Sequence, residues 1–455
     1  MVRARGDEPE PKPDPALQAS RLAYETNLKQ FKDNPDYLVL PGLLADKKAK
    51  QARLDGRATA LGAGDAVEFF LIPADSGKDY ESLTVAFVKP SDVHRALEFI
   101  GLKPGRPVNY NNNQYWPKGE RVLVTIEWTP PHGDDLDRGK NPNKKVRAEE
   151  LILDTRTKKP LPLTGLVFTG SYLIKPEDGG KEMYAADVSD SRSIASDYNE
   201  RSTVLDVPWQ WSQGEVYGSL KPNPAHPFTP GQPLQILLEP EHKDGQTRIR
   251  DLTLKVLQKD HFTLLDANNK PLLDQTDLVH LLAEFGKLTE SGHDPFVTID
   301  IAGNLTLQQL REFFSLIQTL DRDGGIRVEA PPPGQLYYRA FFPDEQWRDR
   351  TKRLGRPWEL HAKVGDASGA LSGTLILPAD DIDNNGGKGD LKFQVNSPKE
   401  LAKTLKEKSD RWSQSVYIFA TPDIKYAPLL DFIRPSLKTH PGIYIFLPAP
   451  PASRP

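Results

Sequence analysis

Two stretches of the C-terminal half repeat one order of elements, and that repetition limits the possible folds more than any other feature. The first runs from a helical pattern at 276–285 to an apolar strand FVTIDI at 296–301, a helix at 306–320 and a strand GIRVE at 325–329. The second runs from a helix at 397–408 to VYIFA at 416–420, a helix through 429–437 and GIYIFL at 442–447. A strand, crossover helix and strand of this length favour parallel pairing with a right-handed connection. One such unit covers only one face of its sheet, so the two αβαβ modules are expected to pack together or to share a sheet. Between them, the alternating residues of 358–377 (ELHAKV, GTLIL) read as a β insertion.

The N-terminal half has a different period. Leu17, Leu22, Tyr24, Leu28 and Phe31 fall near helical spacing before the Asn34-Pro35 stop, which predicts a helix within 16–36. Short apolar runs at 37–40, 49–61, 67–72, 83–88, 121–128, 149–153, 166–173 and 234–238 then read as strands. One helix interrupts them, from a Ser91 N-cap to a stop at Gly101. The expected fold class is α+β and multidomain. It comprises a linker at 1–15, the helix at 16–36, a β-rich domain at 37–240, modules at 241–330 and 391–448, a Pro-rich linker with the insertion at 331–390, and a tail at 449–455. At 455 residues the chain exceeds a single core, and its prolines gather at seams such as 330–334 and 448–455.

Composition removes several chemistries. The chain has no Cys, which excludes disulfides, thiolate zinc, cysteine nucleophiles and ordinary iron–sulfur ligation. Its 59 basic and 63 acidic residues are mixed along the chain with a net charge of −4, so no stripe is suited to a nucleic acid backbone. No apolar run approaches the roughly 18 to 20 residues needed to cross a bilayer. The charged, Pro-rich opening MVRARGDEPEPKPDP reads as a tract following a removed signal peptide or anchor. With the missing cysteines it points to an exported, periplasmic protein; thermal selection in the cytosol, or chance, also leaves a chain without Cys.

The segment EFFLIPADSGKDYESLTVAFVKPSDVHRALEFIGLKPG at 68–105, FTGS at 168–171 and PGQPLQILL at 230–238 resemble the YdjY-like family of exported bacterial proteins, with a likeness extending discontinuously to about residue 240. A His often stands in that family where Tyr80 stands here, so a role for that His does not carry over. A ferredoxin-like label attached to some members has no Cys to support it in this chain. The 395–447 stretch, through VYIFATPDIKY at 416–426, is similar to the periplasmic domain of the ExbD/TolR family, whose members sit beside proton-driven motors. That family's N-terminal transmembrane helix is missing, which leaves a binding or dimerising surface as the implied role.

The residues offer three candidate sites. Asp381, Asp383 and Asn385, followed by Gly386, fit the start of a calcium loop, although Lys392 stands where a bidentate Glu is wanted and Asp390 would have to substitute. A solvated hairpin turn is the ordinary reading of the same residues. Tyr80 and Glu81, with His94 on the following helix, form an acid–base set only if the fold brings them together. Tyr110, Tyr115, Trp116, Trp209 and Trp211 sit among Asn and Gln, the pairing a sugar- or peptide-binding face uses, and the pairing that also lids a small β core. No phosphate loop, nucleophile elbow or paired-carboxylate signature appears, and no cofactor is expected beyond calcium. The expected function is a noncatalytic binding or scaffolding protein of the cell envelope, engaging another envelope protein or an assembly. The alternative is a carbohydrate-binding or enzyme-accessory protein using the aromatic loops.

Overall fold

The alternation along Gln51–Ala58 sends Ala52, Leu54 and Ala58 inward, and the strand rests on Pro233–Pro240, which buries Leu234, Ile236 and Leu238. In this computed structural model, residues 14–129, 144–176, 179–301, 305–341, 356–364, 370–378, 390–410 and 413–448 are described. They form two compact units that divide at residues 249/250.

Eight strands of the N-terminal unit close into a barrel. In chain order they are β1 (Gln51–Ala58), β2 (Phe69–Pro73), β3 (Ser82–Ala86), β4 (Arg121–Trp128), β5 (Leu166–Phe168), β6 (Ala195–Ser196), β7 (Leu205–Asp206) and β8 (Pro233–Pro240). Around the barrel the order is β1-β8-β4-β5-β7-β6-β2-β3, and β3 returns to β1 through Gly56↔Ala86 and Ala58↔Thr84. β2–β3 and β6–β7 are parallel, and the other neighbours are antiparallel.

Closure needs Gly56. A Cβ there would lie 2.3 Å from the Val85 carbonyl oxygen and 2.8 Å from Ile236 Cδ1. Side chains fill the interior: Leu54, Leu71, Ile126, Phe168, Leu205 and Ile236 belong to one buried cluster. Each such side chain contributes about 1.5–3 kcal/mol.

Helix α1 (Pro15–Phe31) starts at Asp14, whose carboxylate accepts from Ala16 N at 2.9 Å. Helix α2 (Pro90–Phe99) adds Val93, Ala96 and Leu97 to the barrel core. It begins two residues earlier than the Ser91 cap predicts, with Lys89 as N-cap and Pro90 in the first turn, where the missing N–H costs nothing.

The C-terminal unit contains two five-stranded sheets of identical order. The first has β9 (Ile249–Gln258), β10 (His261–Asp266) and β11 (Pro271–Thr276) as an antiparallel meander. These are followed by α3 (Leu278–Glu290), β12 (Asp294–Ile301), α4 (Leu307–Arg322) and β13 (Arg327–Val328). The second repeats this with β14 (Trp358–Val364), β15 (Leu371–Leu377), β16 (Leu391–Val395), α5 (Pro398–Lys408), β17 (Ser415–Phe419), α6 (Tyr426–Ile433) and β18 (Gly442–Phe446). The order is β11-β10-β9-β12-β13 in one and β16-β15-β14-β17-β18 in the other. β12–β13 and β17–β18 are parallel, as crossover helices require.

This corrects the reading of 358–377 as an insertion. β14 pairs in parallel with β17 from Trp358↔Val416 to His361↔Phe419, so the stretch is the first part of the second module. The repeat is therefore βββαβαβ, and the first copy begins at β9 rather than at α3.

The modules meet through equivalent residues. Leu307 N donates to Ile424 O and Tyr426 N to Leu305 O, both at 2.9 Å, flanking an antiparallel bridge between Thr306 and Lys425. The Pro-rich seam leads into a one-turn helix, Tyr338–Phe341, that packs Phe341 against Phe314 at 5.0 Å and Tyr426 at 6.2 Å.

Candidate functional site

The barrel brings acidic residues to one end by strand direction alone. Glu68 and Glu81 immediately precede the parallel strands β2 and β3, Asp197 follows the antiparallel β6, and Asp206 closes β7. Backbone bonds fix their spacing: Glu68 N donates to Glu81 O at 2.9 Å, and Asp197 N donates to Glu68 O at 3.1 Å.

These groups are buried. Asp197 and Asp206 are 0% exposed and Glu68 is 5% exposed. Asp206 Oδ1 accepts from Asn199 Nδ2 at 3.2 Å, and Glu68 Oε2 accepts from Gln213 Nε2 at 2.8 Å. Glu200 accepts from Ser191 and Ser202. Asp197 differs from them all, because among the described residues neither of its carboxyl oxygens has a side-chain or neighbouring backbone partner.

Burial disfavours the ionised form, and it is the main cause of every upward carboxyl shift here. It raises Asp197 well above the usual carboxylate range, with the charge of Glu68 adding to the effect. Asp206 is raised well above that range against the hydrogen bond from Asn199. Glu68 is raised against Gln213, with Glu81 reinforcing the rise, and Glu200 is raised against its serine donors. Tyr198 sits among these acids and is raised by burial first and then by Glu200, Glu68, Asp197 and Glu81.

Lys78 supplies a cation at the edge. Its ammonium bonds Glu81 at 2.8 Å and Tyr80 Oη at 3.1 Å, which holds its own pKa up. The aromatic loop forms another side. Trp211 N donates to Asn199 Oδ1 at 2.8 Å and Asn199 N returns a bond to Trp211 O at 2.7 Å. The Trp209 and Trp211 rings lie 4.6 Å apart, with the Arg156 guanidinium 5.2 Å from the Trp211 ring.

The candidates from sequence separate into those beside this end and those elsewhere. Tyr80, 63% exposed, and Glu81 share Lys78 beside Glu68. Trp209 and Trp211 are half-buried against the barrel core. His94 contacts Gly170 O at 3.2 Å, Tyr184 Oη at 3.0 Å and Glu98 at 3.5 Å, none of them a partner of Tyr80 or Glu81. Tyr110 is 47% exposed with its ring 5.4 Å from Tyr115, whereas Trp116 is 3% exposed. Asp381, Asp383 and Asn385 lie outside the described residues, and Asp390 stands just before β16. Among the described residues, no three His, Cys, Asp or Glu groups are placed to hold a metal ion.

Sequence reasoning missed the acidic centre itself: Glu68, Asp197, Glu200 and Asp206. Glu68 sits in the apolar run 67–72, while the stretch that holds the other three, SDYNERSTVLD at 196–206, has the composition of a solvated loop in which only Ile194-Ala195 before it and Val204-Leu205 within it hint at burial.

The segment that supplies β1 to β5 and ends just before β6 matches a known family, over residues 43–193. It is a YdjY domain. Glu68 and Glu81 fall inside the match, and Asp197, Glu200 and Asp206 fall beyond it. The expected likeness to about residue 240 thus exceeds the YdjY match, although β8 at Pro233–Pro240 completes the same barrel. No curated protein matches the chain.

Proposed function

We propose that the chain is a noncatalytic binding or scaffolding protein of the bacterial cell envelope, periplasmic or otherwise exported, that acts through protein–protein contacts. The observation that carries this reading is the duplicated βββαβαβ module, whose copies dock through equivalent residues at Thr306 and Lys425. A duplicated module duplicates its surfaces while requiring no reacting group, as a scaffold needs. In this reading 391–448 belongs to an ExbD/TolR-like module, and the first copy is its degenerate relative.

The first module offers the surface. A cleft of about 180 Å³ is lined by apolar Val256, Phe262, Leu278, Leu305, Phe313 and Leu316, with Lys259, Asp260 and Glu312 also at its walls. Its occupant is an apolar anchor side chain of another envelope protein, since apolar anchors seated in pockets carry most interface energy. The test is site-specific photo-crosslinking from position 316 in the native cells. One discrete protein adduct, lost when Leu278→Asp is added, supports the reading; an adduct that persists with Leu278→Asp opposes it.

The alternative, a carbohydrate-binding face on the barrel, draws on Tyr110 and Tyr115, since Tyr110 presents an exposed ring. A glycan array probed with the full chain and with Tyr110→Ala tests it: binding that needs Tyr110 favours it, and no binding removes it.

A further inference from the structure

We propose that Asp197 is a proton-held latch: protonated, it closes the acidic end of the barrel, and its ionisation as pH rises parts it from Glu68 and frees the aromatic loop at 207–213. Asp197 is fully buried, and among the described residues no other residue donates to either of its carboxyl oxygens. An ionised carboxylate in that position would be desolvated with only its own backbone amide to offset the cost, so the group keeps its proton or leaves.

Among the described residues, the side chains around Asp197 give ionisation no help beyond that of its own backbone amide. Glu68 faces it from the approach to β2, and Tyr198 and Glu200 follow it on its own segment. Asp206 lies at the end of β7, with Asn199 bonded to it. Glu81 stands before β3, and the ammonium of Lys78 is already engaged by Glu81 and Tyr80. The amide of Gln213 is spent on Glu68. All the carboxyls oppose a new negative charge, and the nearby cation is neutralised.

A short, irregularly paired strand of the barrel sits at this point. β6 is two residues long, and its pairing with β2 shifts register between Ala195 and Ser196. Ionisation breaks one O–H bond and passes the proton to water; hydration of the new carboxylate then requires the Asp197 N to Glu68 O contact to open. The aromatic loop moves with it, because Asn199, two residues on, is bonded reciprocally to Trp211, and Gln213 is tied to Glu68. The sign follows from linkage. The closed form binds the proton at a pH where an exposed carboxyl has lost it, so closure weakens as pH rises.

Hydrogen exchange of the full chain over 194–213, corrected for the intrinsic pH dependence of exchange, tests the latch between about pH 6 and 9, the span that covers documented buried carboxyls. Protection should fall at least tenfold beyond the correction in the native chain and stay constant in Asp197→Asn. Equal loss of protection in both, or no loss in the native chain, overturns the proposal. Should Asp197→Asn fail to fold, urea unfolding of the native chain decides: the N-terminal transition must move to lower urea as pH rises, and a flat or rising profile overturns the latch.

Discussion

Thr306 and Lys425 hold the same place in the two C-terminal modules, each capping the second helix, and they pair with each other as an antiparallel bridge. Self-pairing of equivalent positions is the mark of an isologous contact, here made within one chain. Leu307→Pro isolates its backbone part. Proline suits the first helical position, and Thr306 is already extended with ψ 159°, as the residue before proline must be. The substitution removes the Leu307 N–H to Ile424 O bond as well as apolar contacts, so it should cost about 0.5–1.5 kcal/mol more than Leu307→Ala in urea unfolding.

Asp321 gathers the seam between the modules. Fully buried, it accepts from Val328 N at 2.8 Å, Tyr338 Oη at 2.6 Å and Arg339 Nη2 at 2.9 Å. Asp321→Ala strands all three donors and is expected to lower the stability of this unit by about 3–5 kcal/mol. Tyr338→Phe removes one donor and should cost about 0.5–1.5 kcal/mol. Chemical denaturation of the two variants checks the order, and equal losses would contradict it.

Closure of the barrel depends on Gly56 having no side chain. Gly56→Val places carbon against the Val85 carbonyl and Ile236 where β1 meets β3, and overpacking of this kind typically costs about 1–3 kcal/mol. The N-terminal unfolding transition should shift accordingly, with fluorescence of the buried Trp128 as a local probe.

His440 makes the C-terminal unit acid-sensitive. Trp358 Nε1 donates to Ser409 Oγ at 2.8 Å, and that hydroxyl shares a 2.8 Å hydrogen bond with His440 Nε2. Burial pushes the His440 pKa below its ordinary 6.5, against a backbone bond to Ser413. With the folded pKa below the unfolded one, the unfolded chain takes up the proton first, and stability falls as pH drops through about 6.5 toward the folded value. Urea midpoints at about pH 7.5 and about pH 5.5 should therefore diverge more in the native chain than in His440→Gln.

Local features of this fold were legible because they are written in neighbouring residues. The periodicity of Leu17 to Phe31 and the helical patterns starting at Thr306 and Ser397 all gave helices where expected. The order of the repeat was legible over its helical halves, where apolar strands and amphipathic helices alternate. Its meanders were not, because β11 is mostly exposed and the parallel pairing of Trp358 with Val416 joins residues that no local pattern connects. Barrel closure is likewise a long-range fact, resting on two-residue strands such as Ala195–Ser196 that leave no period to read. The acidic centre was hidden for a related reason: Asp197 and Asp206 have loop-like neighbours in sequence and core neighbours in space.

On the proposed reading, the chain works by binding a protein partner through the first module. Affinity between the purified full chain and the partner captured at position 316, compared with Leu278→Asp and Leu316→Asp, tests it most directly. Losing an anchor contact worth about 1.4 kcal/mol or more weakens binding at least tenfold, which is the predicted result for both variants, with unfolding profiles unchanged. Native-strength binding by both folded variants would contradict the claim.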